Sequence, residues 1–230
     1  MSSNALPEWE RVLTSAAQLQ RILPEAVLVG GTASALYAQH RMSTDADHVL
    51  TDLRAQFDDV LAQLESVAGW TTARVKRPVL ILGSLDGIET GIRQLIRDEP
   101  LETTQVECCG QSITVPTPAE MLRIKGVLIL KRNATRDYLD FVALAGHLGE
   151  EGTVVALAAF DRLYPQRNDE SALQQLQIQL ANPLPYDLDE VRLDEYKQLD
   201  VALRDWREVQ RRCANTAQLI FERITGLDAE

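Results

Sequence analysis

Asp45 and Asp47, separated by one residue, are the side chains of this chain best suited to hold a hard cation. Residues two apart on a strand project from the same face, so the two carboxylates stand side by side. Mg2+ needs only one or two carboxylates when substrate phosphates complete its shell. Just upstream, Val27-Leu28-Val29-Gly30-Gly31-Thr32-Ala33-Ser34-Ala35-Leu36 is an apolar run that halts at two glycines and resumes with helical spacing. Glycine lets backbone come close to phosphate oxygens, and a helix starting near Thr32 turns its unpaired N–H groups toward the same anion. A strand, turn, helix and second strand in this order suit a triphosphate and a divalent metal. The bland alternative is a β-turn-α corner with solvent-facing aspartates.

Spacing alone decides little, because Asp187 and Asp189 repeat it without a Gly-Gly upstream and at the edge of a helical tail. A second group of charged residues carries more information: Arg123, Lys125, Lys131, Arg132 and Arg136 form a local basic cluster in a chain of net charge −11. Proteins that grip long nucleic acid usually carry a basic surplus, so an acidic envelope with one basic pocket favours a small polyanion. Lys125 lies on an otherwise apolar helix face, where it either snorkels or supplies a point charge to phosphate. Asp137 and Asp140 fall in the first turns of the next helix, where a plain complement to the helix dipole is the competing explanation.

Gly30-Gly31-Thr32-Ala33, Arg41, Thr44, Asp45 and Asp47 resemble the first motif of the DNA polymerase beta-like nucleotidyltransferase superfamily. Within it, the pattern is most similar to the AbiEii/AbiGii-type nucleotidyltransferase toxins of bacteria. Lys125, Lys131-Arg132, Arg136-Asp137-Tyr138 and Asp140 resemble that family's helical block, so the likeness spans about residues 25 to 145 and leaves the tail unmatched. The resemblance implies transfer of a nucleoside monophosphate from a nucleoside triphosphate to an acceptor hydroxyl, with Mg2+ or Mn2+ as cofactor. It makes Asp45, Asp47, Lys125 and Asp140 catalytic. Gly30, Gly31, Thr32, Arg41, Thr44, Arg132 and Arg136 then contact nucleotide, with Arg41 alternatively bracing the aspartate strand. Asp45 and Asp47 are metal ligands, and a third carboxylate should come from a neighbouring strand. Glu89 alternates with Ile88 and Thr90 and so can face the site, with Asp86 its rival and an ordinary solvent-facing strand residue the competing reading of Glu89. A tRNA acceptor and a cognate antitoxin are the implied partners. Other readings are a nucleotide-binding sensor or partner-binding module without turnover, and a transferase acting on a small molecule such as an antibiotic.

The elements that must position these residues read as α/β (α+β): a small mixed sheet with flanking helices over residues 1–116, then a helical domain over 117–230 that contributes its Lys, Arg and Asp residues to the cleft. An amphipathic helix covers 7–23, and Thr51 caps a helix carrying Leu53, Phe57, Val60, Leu61, Leu64 and Val67. Strands follow near 71–76, 79–83, 88–96, 103–108 and 111–115, with Gly110 turning the last two into a hairpin. Thr117-Pro118-Ala119-Glu120 is a capping box with proline at the first helical position. That helix runs to about Arg132, and the next extends from Asn133 or Thr135 until Gly146 and Gly149 end its pattern. Helical segments near 152–164, 170–181 and 200–225 complete the chain, the last with a buried stripe through Trp206, Val209, Cys213, Ala217, Leu219 and Ile220. His48 is unexpected on an inner strand. No run is long enough to span a membrane and no secretory signal opens the chain, which reads as cytoplasmic. Cys108, Cys109 and Cys213 fit neither a disulfide framework nor a zinc site.

Overall fold

The computed structural model describes residues 7–167 and 170–225 and divides into two compact units, one of residues 1–33 and 43–117, the other of 34–42 and 118–230. In the first, strands β1 (Val27–Leu28), β2 (Ala46–Leu50), β3 (Trp70–Lys76), β4 (Leu80–Leu85) and β5 (Ile88–Gln94) form a mixed sheet in the order β1-β2-β5-β4-β3. Only the central β2–β5 pairing is parallel. Helix α1 (Glu8–Ile22) buries Val12, Leu13, Ala16 and Leu19, the stripe its periodicity announces. Leu19, Leu50, Phe57, Leu64, Ile81 and Ile92 belong to one core cluster, to which α1, the sheet and helix α3 (Phe57–Glu65) all contribute.

Strands β6 (Thr103–Cys108) and β7 (Gln111–Pro116) make a separate hairpin. Cys109 and Gly110, at φ 54° and 71°, form its two-residue turn. Positive φ at both central positions matches the twist of the flanking strands.

Thr51 does not cap α3. That helix begins six residues later, at Phe57, and Gln56 at its N-cap makes no side-chain cap bond. The N–H of Ala55 donates to the Asp52 carbonyl at 2.9 Å, so residues 51–56 turn rather than wind. Leu53 still reaches the core from that turn, which is why its spacing from Phe57 imitates a helix.

The second unit is helical: α4 (Pro118–Arg132), α5 (Thr135–Leu157), α6 (Phe160–Leu163), α7 (Ala172–Ala181) and α8 (Trp206–Ile220), with short 3-10 turns at Leu193–Glu195 and Val201–Arg204. Gly149, at φ 70°, kinks α5, and the helical run resumes beyond it instead of ending. Gly126 is needed where α4 meets its neighbours, since a Cβ there would stand 2.9 Å from Leu176 and 3.0 Å from Phe160. Val209, Cys213, Ala217 and Ile220 of α8 are buried, whereas Trp206 and Leu219 are half-buried. Helix α2 (Gly30–Ala38) opens in the first unit, and its residues from Ser34 onward group with the second. Among the described residues, no helix is long and apolar enough to cross a membrane.

Candidate functional site

Pairing of β2 with β5 sets Asp47 opposite Gly91 and Ala46 opposite Thr90. Strand alternation then places Asp47, Glu89, Gly91 and Arg93 on one face, and Ala46, His48, Leu50 and Ile92 on the core face. Asp45 lies one residue before β2. Its carboxylate accepts from the Ser43 hydroxyl at 2.5 Å, and its backbone carbonyl from the Thr32 hydroxyl at 2.5 Å. Thr32 is thus buried and ties the start of α2 to the acidic segment. The Val29 N–H donates to the Asp47 carbonyl at 2.8 Å, fixing the other side of the corner.

Two glycines leave room around the Asp47 carboxylate. A Cβ at Gly91 would come within 2.8 Å of its Oδ1, and one at Gly30 within 3.7 Å of its Oδ2. Gly30 has φ +76°, so it is also required by backbone conformation. The next N–H groups of α2 belong to a helix first turn, which supplies donors without intrahelical acceptors. Gly31 is half-buried and Thr44 exposed. Arg93 brings a guanidinium to 3.8 Å from Asp47 Oδ1.

Glu89 is exposed on this face. Asp86 instead occupies the Asp86-Gly87 turn at φ 50°, its carboxylate lying over Gly69, where a Cβ would fall 2.1 Å from its Oδ1. Among the described residues no three His, Cys, Asp or Glu side chains are gathered as a metal cage. Asp45 and Asp47 would supply two carboxylates to a hard cation, a donor set that fits Mg2+ only where phosphate oxygens complete the shell.

On the opposite face of β2, the His48 Nδ1 lies 2.9 Å from the Ala46 carbonyl. Burial lowers its pKa to about 4, outweighing the hydrogen bonds to backbone carbonyls. A neutral imidazole explains how histidine stands where an apolar residue was expected.

The helical unit uses its charged residues differently. Asp140 is fully buried, and its Oδ1 accepts from Arg41 Nε at 2.7 Å and contacts His40 Nε2 at 2.7 Å. Its Oδ2 accepts from Arg41 Nη2 at 3.1 Å and from Lys125 Nζ at 2.7 Å. Burial alone would raise the Asp140 pKa, but Arg41, Lys125 and His40 together hold it well below the usual carboxylate range. Lys125 is only 1 % exposed, so its stem does not carry the ammonium out to water, as a snorkelling lysine would. Asp137, also buried, takes a two-pronged contact from Arg132, with distances of 2.5 and 2.6 Å. Arg123 pairs with buried Glu120 at 3.1 Å. Of the basic cluster read from the sequence, only Lys131 and Arg136 are exposed. The pocket expected there is largely neutralised from within.

Arg41 grips Asp140 through both Nε and Nη2. The backbone beside it is fixed too, because Asp200 N–H donates to the His40 carbonyl at 2.7 Å and Met42 N–H to the Lys197 carbonyl at 2.8 Å. Sequence reasoning missed His40, Ser43, Gly91 and Arg93. Gly91 and Arg93 had a signal in their alternation with Glu89, whereas His40 had only its adjacency to Arg41.

This sheet, with a glycine corner and an acidic pair beside a parallel central strand, has the nucleotidyltransferase fold. A crystal structure of a protein from H. pylori assigned as a nucleotidyltransferase matches it with a TM-score of 0.59 and 20% identity, covering 99% of both chains. ANT(2'')-Ia in complex with adenylyl-2''-tobramycin matches with a TM-score of 0.51 and 11% identity, over 68% of this chain and 98% of that one. Residues 11–224 match the model of the nucleotidyl transferase AbiEii toxin family, of type IV toxin–antitoxin systems, and the chain belongs to that family. It is also 32% identical over 229 residues to the heme uptake protein MmpL11 of Mycobacterium tuberculosis, a match covering 92% of this chain. That match spans only 22% of the length of the mycobacterial protein.

Proposed function

We propose that the protein transfers a nucleoside monophosphate from a nucleoside triphosphate to an acceptor hydroxyl, releasing pyrophosphate. The supporting observation is the Asp47 carboxylate beside positions where Gly30 and Gly91 present no side chain. In this reading Asp45 and Asp47 hold Mg2+ or Mn2+, and Glu89, on the face of Asp47, adds a third carboxylate as the site fills. A cation held there would supply activation of the attacking oxygen and offset charge on the triphosphate. Gly30 and Gly31 admit phosphate oxygens to the first turn of α2, and Ser43 and Thr32 keep Asp45 in place. Lys125, Arg41 and Asp140 act by holding one another, and Arg132 by holding Asp137. The acceptor in this reading is the hydroxyl of an RNA end, tRNA foremost, with activity in the cytoplasm restrained by a cognate antitoxin.

Incubation with each labelled triphosphate, Mg2+ or Mn2+, and total RNA tests this. Label should enter RNA, and Asp45→Asn or Asp47→Asn should lower incorporation on the order of a thousandfold, about 4 kcal/mol in barrier. Label confined to the low-molecular-weight fraction would make the acceptor a small molecule. Saturable nucleotide binding without pyrophosphate release would replace the transferase with a sensor.

A further inference from the structure

The β6–β7 hairpin carries two adjacent thiols at its turn, and we propose that Cys108 and Cys109 form a bidentate site for a monosubstituted trivalent arsenical. Their sulfurs lie 3.5 Å apart, with Cys109 exposed and Cys108 half-buried. That separation suits a bent two-sulfur centre and not a linear one. With a bond to sulfur of about 2.3 Å, a pyramidal centre whose angle is near 100° spans about 3.5 Å, whereas a linear two-coordinate ion needs about 4.6 Å. A tetrahedral ion would need further protein ligands, and among the described residues no third His, Cys, Asp or Glu completes a cage. A centre that brings its own organic substituent needs only the two sulfurs.

The same hairpin resists the obvious rival, oxidation. A disulfide requires the sulfurs to close to about 2.05 Å. Cys108 is held in register opposite Gln111, and Cys109 and Gly110 are fixed at positive φ by the two-residue turn. Capture of an arsenical, R–As(OH)2, breaks two S–H bonds and two As–O bonds and forms two As–S bonds. Two waters leave, and nothing is oxidised or reduced. The two thiol protons leave with the arsenic-bound hydroxyls as water. Burial foremost, then Cys109 and the nearby Glu10, raise the Cys108 pKa, which keeps this thiol largely protonated at neutral pH.

Phenylarsine oxide at one equivalent tests the site on the full chain, read by intact-mass spectrometry. The expected result is one phenylarsenic unit per chain with two hydrogens lost, removed by a dithiol but retained against the same concentration of a monothiol. Cys108→Ser and Cys109→Ser should each lose capture, while Cys213→Ser should keep it, since Cys213 is buried in α8. Equal capture by either single-thiol variant, no adduct on the native chain, or release by monothiol would overturn the assignment.

Discussion

Asp45 and Asp47 share their spacing with Asp187 and Asp189, yet the two pairs meet different surroundings. Asp47 is half-buried beside glycines at positions 30 and 91, with Arg93 at 3.8 Å. Asp187 spends one carboxylate oxygen on the start of α5, accepting from the Thr135 N–H and hydroxyl, each at 2.7 Å. Between these lies a third condition, that of Asp140, buried and saturated by Arg41, His40 and Lys125. What separates a candidate metal ligand from a capping group or a structural counter-ion is therefore how its oxygens are already engaged. Residue type and spacing are the same in two of the three cases.

The sharpest way to break that comparison is to neutralise one acid in each setting. Asp140→Asn leaves buried Lys125 and Arg41 without their anion, and removing one partner of such a group costs about 3–5 kcal/mol. In a chain of this size that lowers Tm by roughly 6–20 °C. Asp47→Asn, at a half-buried position that keeps its shape, should lower stability by less than Asp140→Asn while abolishing transfer. Thermal melts of both variants check this, and equal shifts would erase the distinction. Lys125→Met belongs with Asp140→Asn: earlier melting is expected, whereas lost nucleotide affinity with an unchanged melt would make Lys125 a phosphate ligand.

A second contrast is in pH. Folding depresses the His48 pKa from 6.5 to about 4, so the unfolded chain binds this proton more readily. Its contribution is fully present above pH 6.5 and lost as pH falls towards 4, a window worth about 3 kcal/mol. Asp140, whose burial is outweighed by Arg41, Lys125 and His40, also has a depressed folded pKa. Its stabilising share is present above the ordinary carboxylate range and disappears only in more acidic solution. Urea midpoints should fall between pH 6.5 and 4 in the native protein, and His48→Leu should flatten that decline. An unchanged slope in His48→Leu would assign the acid sensitivity elsewhere.

These partnerships also mark how far the sequence could be read. Local patterns carried the architecture: α1 by its stripe, the β6–β7 turn by Gly110, and α4 by Pro118 at its first position. Each depends on residues within a turn or two of one another. Thr51 misled because Leu53 and Phe57 have helical spacing although a turn lies between them. Gly149 was read as an end and is a kink. Residues 34–42, read with the sheet domain, group with the helices. The acidic pair and its glycine corner were legible as a motif, and alternation put Glu89 within consideration. The engagement of Asp140 was not, since His40 and Arg41 lie 100 and 99 residues away from it and no local period encodes such a contact.

The smallest expected effect separates the members of the second Asp-x-Asp pair from each other. Asp187 is half-buried and satisfies the first N–H of α5, in addition to the Thr135 hydroxyl. Asp189 is exposed. Helix N-termini leave donors without intrahelical acceptors, and removing a side chain that caps them costs about 1 kcal/mol. Asp187→Ala should therefore destabilise by about that amount, with faster hydrogen exchange in the first turn of α5. Asp189→Ala should stay within about 0.5 kcal/mol and leave exchange unchanged. Because neither variant touches Asp45 or Asp47, both should retain transfer. A loss of transfer in Asp189→Ala at full stability would mean that this pair, too, has a chemical role, and that engagement of carboxylate oxygens is an insufficient guide to which acids act.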